Sequence, residues 1–117
     1  MKEKSKIATS KWLLQVLLSY GIDRKTADMF YPVGSSFPEV CDNGDNMQCD
    51  FPAWSLDALI NLLYGWEVGF YFDDDLYWHC QCWRRVGKTR EAIAMLDYTK
   101  IDAICRVIIR LRQEGKL

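Results

Sequence analysis

Five side chains have the chemistry to bind a metal ion: Cys41, Cys49, His79, Cys80 and Cys82. A structural zinc ion needs four such ligands converging at about 2.0–2.3 Å. Alternation along a strand would place His79 on the face opposite to Cys80 and Cys82. The single residue between these two cysteines is also a shorter gap than a zinc knuckle uses. We therefore expect small buried cysteines, and neither a metal nor a cofactor.

Nucleophilic catalysis is the second chemistry that the residue types suggest. His79 is the only histidine, so it would have to be the base for any cysteine nucleophile. Its predicted cross-strand neighbour is Gly69, which cannot act as a nucleophile. The segment 87–89 has Cys82 where a phosphate-binding loop needs glycine, so we interpret it as a turn between strands. The acidic run 42–46 lacks the spacing of an EF-hand. We expect no enzymatic activity.

The net charge of −1 conceals three blocks of opposite sign. Residues 1–21 carry four lysines and one glutamate, and residues 22–82 carry two basic and eleven acidic side chains. Residues 83–117 carry nine basic and four acidic side chains. This balance excludes a uniformly basic nucleic-acid binder. Complementarity between the middle and the ends is the simpler interpretation, and a basic C-terminal face that meets a polyanion is the alternative.

The cysteine count and the hydropathy indicate a compartment. Five cysteines cannot all pair within one chain, which favours free thiols in a reducing cytoplasm. No apolar run reaches the roughly 18 residues that a membrane span needs. The short apolar stretch at 12–18 lacks the cleavage site of a secretory signal. We predict a cytoplasmic protein without a membrane partner.

Apolar spacing and capping residues predict four helices. The first covers residues 11–20, with Thr9 or Ser10 as its cap, Gly21 as its end and Trp12 in its apolar stripe. A second short helix is predicted over 24–30. A third begins after Ser55, and the last follows Thr99 and ends near residue 115.

Two alternating segments, 66–72 and 76–84, predict a β-hairpin around three consecutive aspartates. A three-residue loop would place Phe72 opposite Leu76 and Phe70 opposite Trp78. Residues 91–98 suit a helix by composition, yet they also alternate, and we interpret them as a third strand. Residues 32–52 look irregular, with one short strand near 37–40.

These elements predict an α+β fold, a small two-layer sandwich with an α-β-β-(β)-α core. The organisation is an N-terminal helical extension at 1–31, a loop or linker at 32–52 and the core at 53–117, within one compact domain overall. The N-terminal helices are expected to dock against the sheet edge or the second face of the sheet.

Several segments together resemble a known group of proteins. They are TSKWLL at 9–14, PAWSLDALI at 52–60, the hairpin at 66–82 and IDAIC at 101–105. They are similar to an uncharacterised family of small proteins from gut Bacteroidales, frequent in prophages and conjugative elements. The resemblance implies an accessory protein of a phage or mobile element in the bacterial cytoplasm. It brings no activity and no catalytic residue.

The outer side of the hairpin carries the candidate interaction surface. Its members are aromatic or basic, and they are Tyr71, Tyr77, His79, Trp83 and Arg85. Such side chains can fill a partner's pocket or stack on bases. Alternatively, the N-terminal helices or a second copy of the chain cover this face, and we favour covering. The leading hypothesis is a non-enzymatic protein-interaction module with an unknown protein partner, and a homodimer is an open alternative.

The runner-up hypothesis is RNA or DNA binding through the last helix and the hairpin aromatics. The candidate polyanion contacts are Lys100, Arg106, Arg110 and Arg112. The element order resembles that of the double-stranded-RNA-binding domain. That family has a lysine cluster where the last helix begins, and here only Lys100 stands there.

Overall fold

Three α-helices and two three-stranded antiparallel sheets form the part of the chain that the computed structural model describes, residues 7–40 and 51–117. The helices are α1 (Lys11–Ser19), α2 (Leu56–Leu62) and α3 (Lys100–Gln113). The small sheet has the order β2-β1-β3, with β1 at Met29–Tyr31, β2 at Glu39–Val40 and β3 at Phe51–Ala53. The large sheet has the order β4-β5-β6, with β4 at Glu67–Phe72, β5 at Trp78–Val86 and β6 at Thr89–Asp97. The predicted α+β class is confirmed.

Side-chain caps set the starts of all three helices in this part of the chain. The hydroxyls of Ser10, Ser55 and Thr99 accept hydrogen bonds from backbone N–H groups three residues onward, at 3.0–3.2 Å. Each bond satisfies a donor that the first turn of a helix leaves free. Of the two caps predicted for α1, the cap is Ser10, because the Thr9 hydroxyl accepts instead from the N–H of Trp54.

The hairpin of β4 and β5 is confirmed, but its predicted register is wrong by two residues. Phe72 lies opposite Trp78, and the loop between the strands has five residues. The Asp73 carboxylate explains the longer loop, because it accepts from the N–H groups of Asp75 and Tyr77, both at 2.9 Å. A shift of two residues keeps every side chain on its predicted face.

The third strand is confirmed as β6, which pairs with β5 over its full length. Val86 lies opposite Thr89, so a two-residue turn joins β5 and β6. Gly87 takes the first position of this turn at φ +61°, a left-handed conformation that glycine adopts without strain. The fragment 87–89 is therefore a turn between strands, as predicted.

Helix α3 is the centre of the hydrophobic core. Its buried residues cover more than half of its circumference, and they are Ile101, Ala103, Ile104, Cys105, Val107, Ile108 and Leu111. One side of α3 packs against β5 and β6, and α1 and α2 also pack against α3. The inner face of the large sheet contributes Cys80 and Cys82, which are fully buried.

The N-terminal part of the chain departs from the predictions in three ways. Helix α1 packs against α3 and β3, rather than against the edge or second face of the large sheet. Trp12, predicted to belong to the apolar stripe, is 70% exposed. The predicted helix over 24–30 is one 3-10 turn at Arg24–Thr26, because Met29–Tyr31 pairs with β3 instead.

A buried hydrogen-bond network joins the N-terminal segment to the start of α2. Thr9 and Trp54 exchange two bonds, from the Thr9 N–H to the Trp54 carbonyl and from the Trp54 N–H to the Thr9 hydroxyl. The Tyr31 hydroxyl donates to the Thr9 carbonyl at 2.8 Å. The Asp28 carboxylate accepts from the N–H and the hydroxyl of Ser55. These bonds satisfy polar groups that would otherwise be buried without partners.

None of the helices within 7–40 and 51–117 has the length and hydropathy to cross a lipid bilayer.

The burial of three cysteines in the core predicts that their thiols react slowly. Cys80, Cys82 and Cys105 are fully buried, and the Sγ atoms of Cys80 and Cys82 lie 3.7 Å apart. Their hydrogen bond and burial raise the pKa of the Cys80 thiol. In a Cys41→Ser/Cys49→Ser protein, we expect these three thiols to react with Ellman's reagent about a hundredfold more slowly in native buffer than in guanidinium. Immediate reaction of the native protein would contradict this packing.

Candidate functional site

One face of the large sheet points away from the helices, and we call it the outer face. It comprises the residues that alternate with the buried ones along the three strands. Tyr77 and Tyr98, which lie just outside β5 and β6, continue the same register. The members of the outer face are Glu67, Gly69, Tyr71, Tyr77, His79, Gln81, Trp83, Arg85, Arg90, Ala92, Ala94, Leu96 and Tyr98. Tyr71 is 45% exposed and Leu96 is 42% exposed. Gln81, Ala92 and Ala94 are also exposed.

The end of the outer face next to the β4–β5 loop is aromatic. The rings of Tyr71 and His79 stack with centroids 4.3 Å apart, and those of Tyr77 and Tyr98 stack at 5.0 Å. His79 Nε2 lies 2.5 Å from a carboxylate oxygen of Asp73, which fixes the orientation of the imidazole. We call this region the aromatic end, and it directly adjoins the acidic loop 73–75.

The middle of the outer face is shallow, because its side chains are small. Gln81 lies opposite Gly69 on one side and opposite Ala94 on the other. A trough of about 440 Å³ runs over Ala92 and Ala94 beside Trp83. Another chain can therefore approach the strands closely at this point.

The opposite end of the outer face, next to the β5–β6 turn, is basic. Arg85 lies directly opposite Arg90 across the strands, and Lys88 stands in the turn between them. The Arg90 guanidinium lies 5.9 Å from the centroid of the Trp83 ring. These four side chains line a groove of about 600 Å³, and we call them the basic end. Glu67 is the acidic residue that lines the same groove.

The predicted polyanion contacts on α3 each have an interaction partner within the chain. Lys100 lies over the rings of Trp78 and Phe70, at 4.5 and 5.8 Å from their centroids. Arg106 pairs with Asp97 at 2.7 Å, and Arg110 pairs with Glu114 at 3.0 Å. Arg112 donates to the backbone carbonyls of Tyr20 and Leu117. Each cation therefore has a partner in its own chain.

The predicted interaction surface is brought together largely as expected. Tyr71, His79, Trp83 and Arg85 share the outer face, and Tyr77 continues it just before β5 begins. His79 lies opposite Tyr71 rather than the predicted Gly69, because of the longer loop. The preferred covering of this face by the N-terminal helices is wrong, since α1 packs on α3 and β3.

Sequence reasoning missed the contribution of β6 to this face. Arg90, Ala92, Ala94 and Leu96 all lie on it. The alternation over residues 91–98 carried the signal. Extending the hairpin register to a third strand would have placed these side chains on the outer face.

The residues considered for chemistry are dispersed. Cys80 and Cys82 lie on the inner face, on the opposite side of the sheet from His79. Within 7–40 and 51–117, no group of three His, Cys, Asp or Glu side chains could hold a metal ion. Cys41, Cys49 and the acidic run 42–46 lie outside the described residues.

Comparison of the chain with protein-family models, curated proteins and solved structures finds no match. The resemblance to small proteins of Bacteroidales mobile elements therefore stays a prediction.

The loop beside the aromatic end predicts a pH dependence of stability. Hydrogen bonds from the Tyr77 N–H and from His79 lower the pKa of the Asp73 carboxyl below its ordinary value of 3.8. The ionised Asp73 carboxylate stabilises the folded protein fully above pH 3.8. This contribution is lost as the pH falls through the lower pKa that Asp73 has in the folded state. Urea midpoints between about pH 5 and about pH 2.5 should fall more steeply for the wild type than for Asp73→Asn. Asp74→Asn is the control, and equal slopes for wild type and Asp73→Asn would contradict this role.

Proposed function

We propose that the chain is a non-enzymatic interaction module that binds protein through the outer face of its large sheet. The observation that carries the proposal is the position of the helices. Helix α3 packs on the inner face with α1 and α2 against it, and the outer face keeps exposed aromatic and apolar side chains. We place the protein in the bacterial cytoplasm, in a prophage or mobile element, on the basis of the predicted free thiols and the sequence resemblance.

The composition of the outer face suits a protein partner. Tyrosine, tryptophan and arginine are the residues that most often dominate binding energy in protein interfaces. Here Tyr71, Trp83 and Arg85 stand on one sheet, so binding does not have to order the backbone that carries them. The small residues at 92 and 94 leave room for a partner's side chains beside Trp83, whose ring lies over Gly69.

Nucleic-acid binding is the second candidate, and the basic end is the observation that favours it. Trp83 could stack on a base while Arg85 and Arg90 contact phosphates. A single strand needs cations along its backbone, however, whereas these cations form one compact cluster. The other end of the outer face adjoins the acidic loop 73–75, which would repel phosphates.

The proposed function is tested by placing a bulky side chain in the centre of the outer face. Ala94 is exposed, so Ala94→Arg should leave the fold intact while it blocks close approach to the strands. Asn61→Arg, on the exposed side of α2, is the matched control. We expect an interacting protein, identified from the producing cells and then purified, to bind wild type and Asn61→Arg alike and Ala94→Arg at least about tenfold more weakly.

Equal binding of all three proteins would show that the outer face is not the docking surface. Salt-sensitive recovery of RNA or DNA in place of protein would support the second candidate.

A further inference from the structure

We infer that the outer face docks on the outer face of a second copy of the chain, in an antiparallel arrangement about a two-fold axis. This inference rests on the proposed function, because it names the occupant of the same surface. In this arrangement the basic end of each copy meets the acidic loop and aromatic end of the other.

The distribution of charge along β5 is the first argument. Arg85, Lys88 and Arg90 stand at one end of the outer face, and Asp74 and Asp75 lie in the β4–β5 loop at the other end. Asp73, in the same loop, contacts the His79 ring, which places this acidic loop beside the outer face. A face that is basic at one end and acidic at the other is complementary to itself when one copy is reversed.

The Arg85–Arg90 pair is the second argument. Like charges directly opposite each other in an antiparallel sheet are destabilising. Arg84, one residue away, pairs with Glu91 at 2.8 Å, whereas Arg85 and Arg90 face each other with Lys88 nearby. Glu67 lines the same groove, but one carboxylate does not balance three cations. Carboxylates from the acidic loop of another copy would relieve the remaining repulsion.

The positions of the small and large side chains are the third argument. Gln81 stands midway between Tyr77 and Arg85 on β5, and its cross-strand neighbours are Gly69 and Ala94. A two-fold axis through this row brings the shallow middles of both faces together. Gln81 then meets its own counterpart, and an amide can both donate and accept a hydrogen bond in such a pair.

The same axis places Trp83 of one copy over the Tyr71–His79 stack of the other. Trp83 stands two residues from Gln81 in one direction, and His79 stands two residues away in the other. Contacts between aromatic rings of this kind add to the energy of apolar burial. The row on the axis and the two rows on either side of it thus each have a chemically suitable counterpart.

The size of the face limits the affinity with which two copies can associate. From Tyr77 to Arg85 the face is about 26 Å long, and its outer strands lie about 10 Å apart. That surface is smaller than the roughly 800 Å² per partner of a standard interface. We therefore expect a weak dimer that dissociates on dilution.

The test is the mass of the purified protein as a function of its concentration, measured by sedimentation. We expect the mass to rise from that of one chain at about 10 µM towards that of two chains at about 1 mM. Arg85→Glu/Arg90→Glu should stay monomeric, and so should Asp74→Arg/Asp75→Arg. Lys25→Glu/Arg110→Glu has the same net charge as the first variant but lies outside the outer face, and it should dimerise like the wild type.

The decisive experiment is to mix the two monomeric variants and measure the mass of the mixture. Both contacts of the mixed dimer then join opposite charges again, so a dimer should form from the mixture although neither variant forms one alone. This rescue also shows that both variants are folded. A wild type that stays monomeric at about 1 mM, or a mixture that stays monomeric, would overturn the inference.

The two proposals fail separately. If the protein is monomeric but Ala94→Arg loses another protein, the docking surface stands and its occupant is a different chain. If the dimer and its rescue are observed while Ala94→Arg still binds that other protein, self-association stands and the heterologous partner binds elsewhere. Binding of an oligothymidylate probe to wild type but not to Arg85→Glu/Arg90→Glu, without any dimer, would overturn the inference in favour of nucleic acid.

Discussion

The burial of α3 is the constraint on which the rest of the structure depends. This helix is apolar over more than half of its circumference, so the sheet alone cannot cover it, and α1 and α2 pack against it as well. The hydrogen bonds among Thr9, Trp54 and Tyr31 then hold the N-terminal segment to the start of α2. Because the helices are committed to this core, the outer face of the large sheet keeps its side chains in solvent. The open face on which we propose that a partner docks is thus a consequence of where the core lies.

The contrast between the helix-covered core and the open outer face also explains why the cations of residues 83–117 form two groups. On α3, Arg106 and Arg110 form ion pairs with carboxylates of the same block. Arg112 donates a hydrogen bond to a backbone carbonyl. At the β5–β6 turn, Arg85 and Arg90 are held opposite each other by the strand register. A one-residue change of register would turn Cys80 and Cys82 out of the core. Arg85 and Arg90 therefore stay opposite each other, in a groove where Glu67 is the acidic side chain.

Much of the architecture could be predicted from capping residues and alternation, since both are local signals. Ser55 and Thr99 mark the starts of their helices, and the alternation in 66–84 identifies the faces of the hairpin correctly. The register was not predictable in the same way, because the Asp73 carboxylate organises a five-residue loop that spacing does not reveal. The position of α1 and the strand at Met29–Tyr31 depend on contacts with distant segments. For the candidate site, the hairpin half could be predicted, whereas the β6 half required the register of a third strand.

The central claim is that the outer face is open in the isolated chain and covered by protein in the cell. The most direct measurement is the rate of maleimide labelling of Ala94→Cys in the Cys41→Ser/Cys49→Ser background, with Asn61→Cys as the reference. In dilute purified protein, we expect both cysteines to react at the rate of an exposed thiol. In the producing cells, Ala94→Cys should react more slowly than Asn61→Cys, in proportion to the fraction of the chain that is bound. Slow labelling of Ala94→Cys in the dilute protein, or equal rates in the cells, would contradict the account.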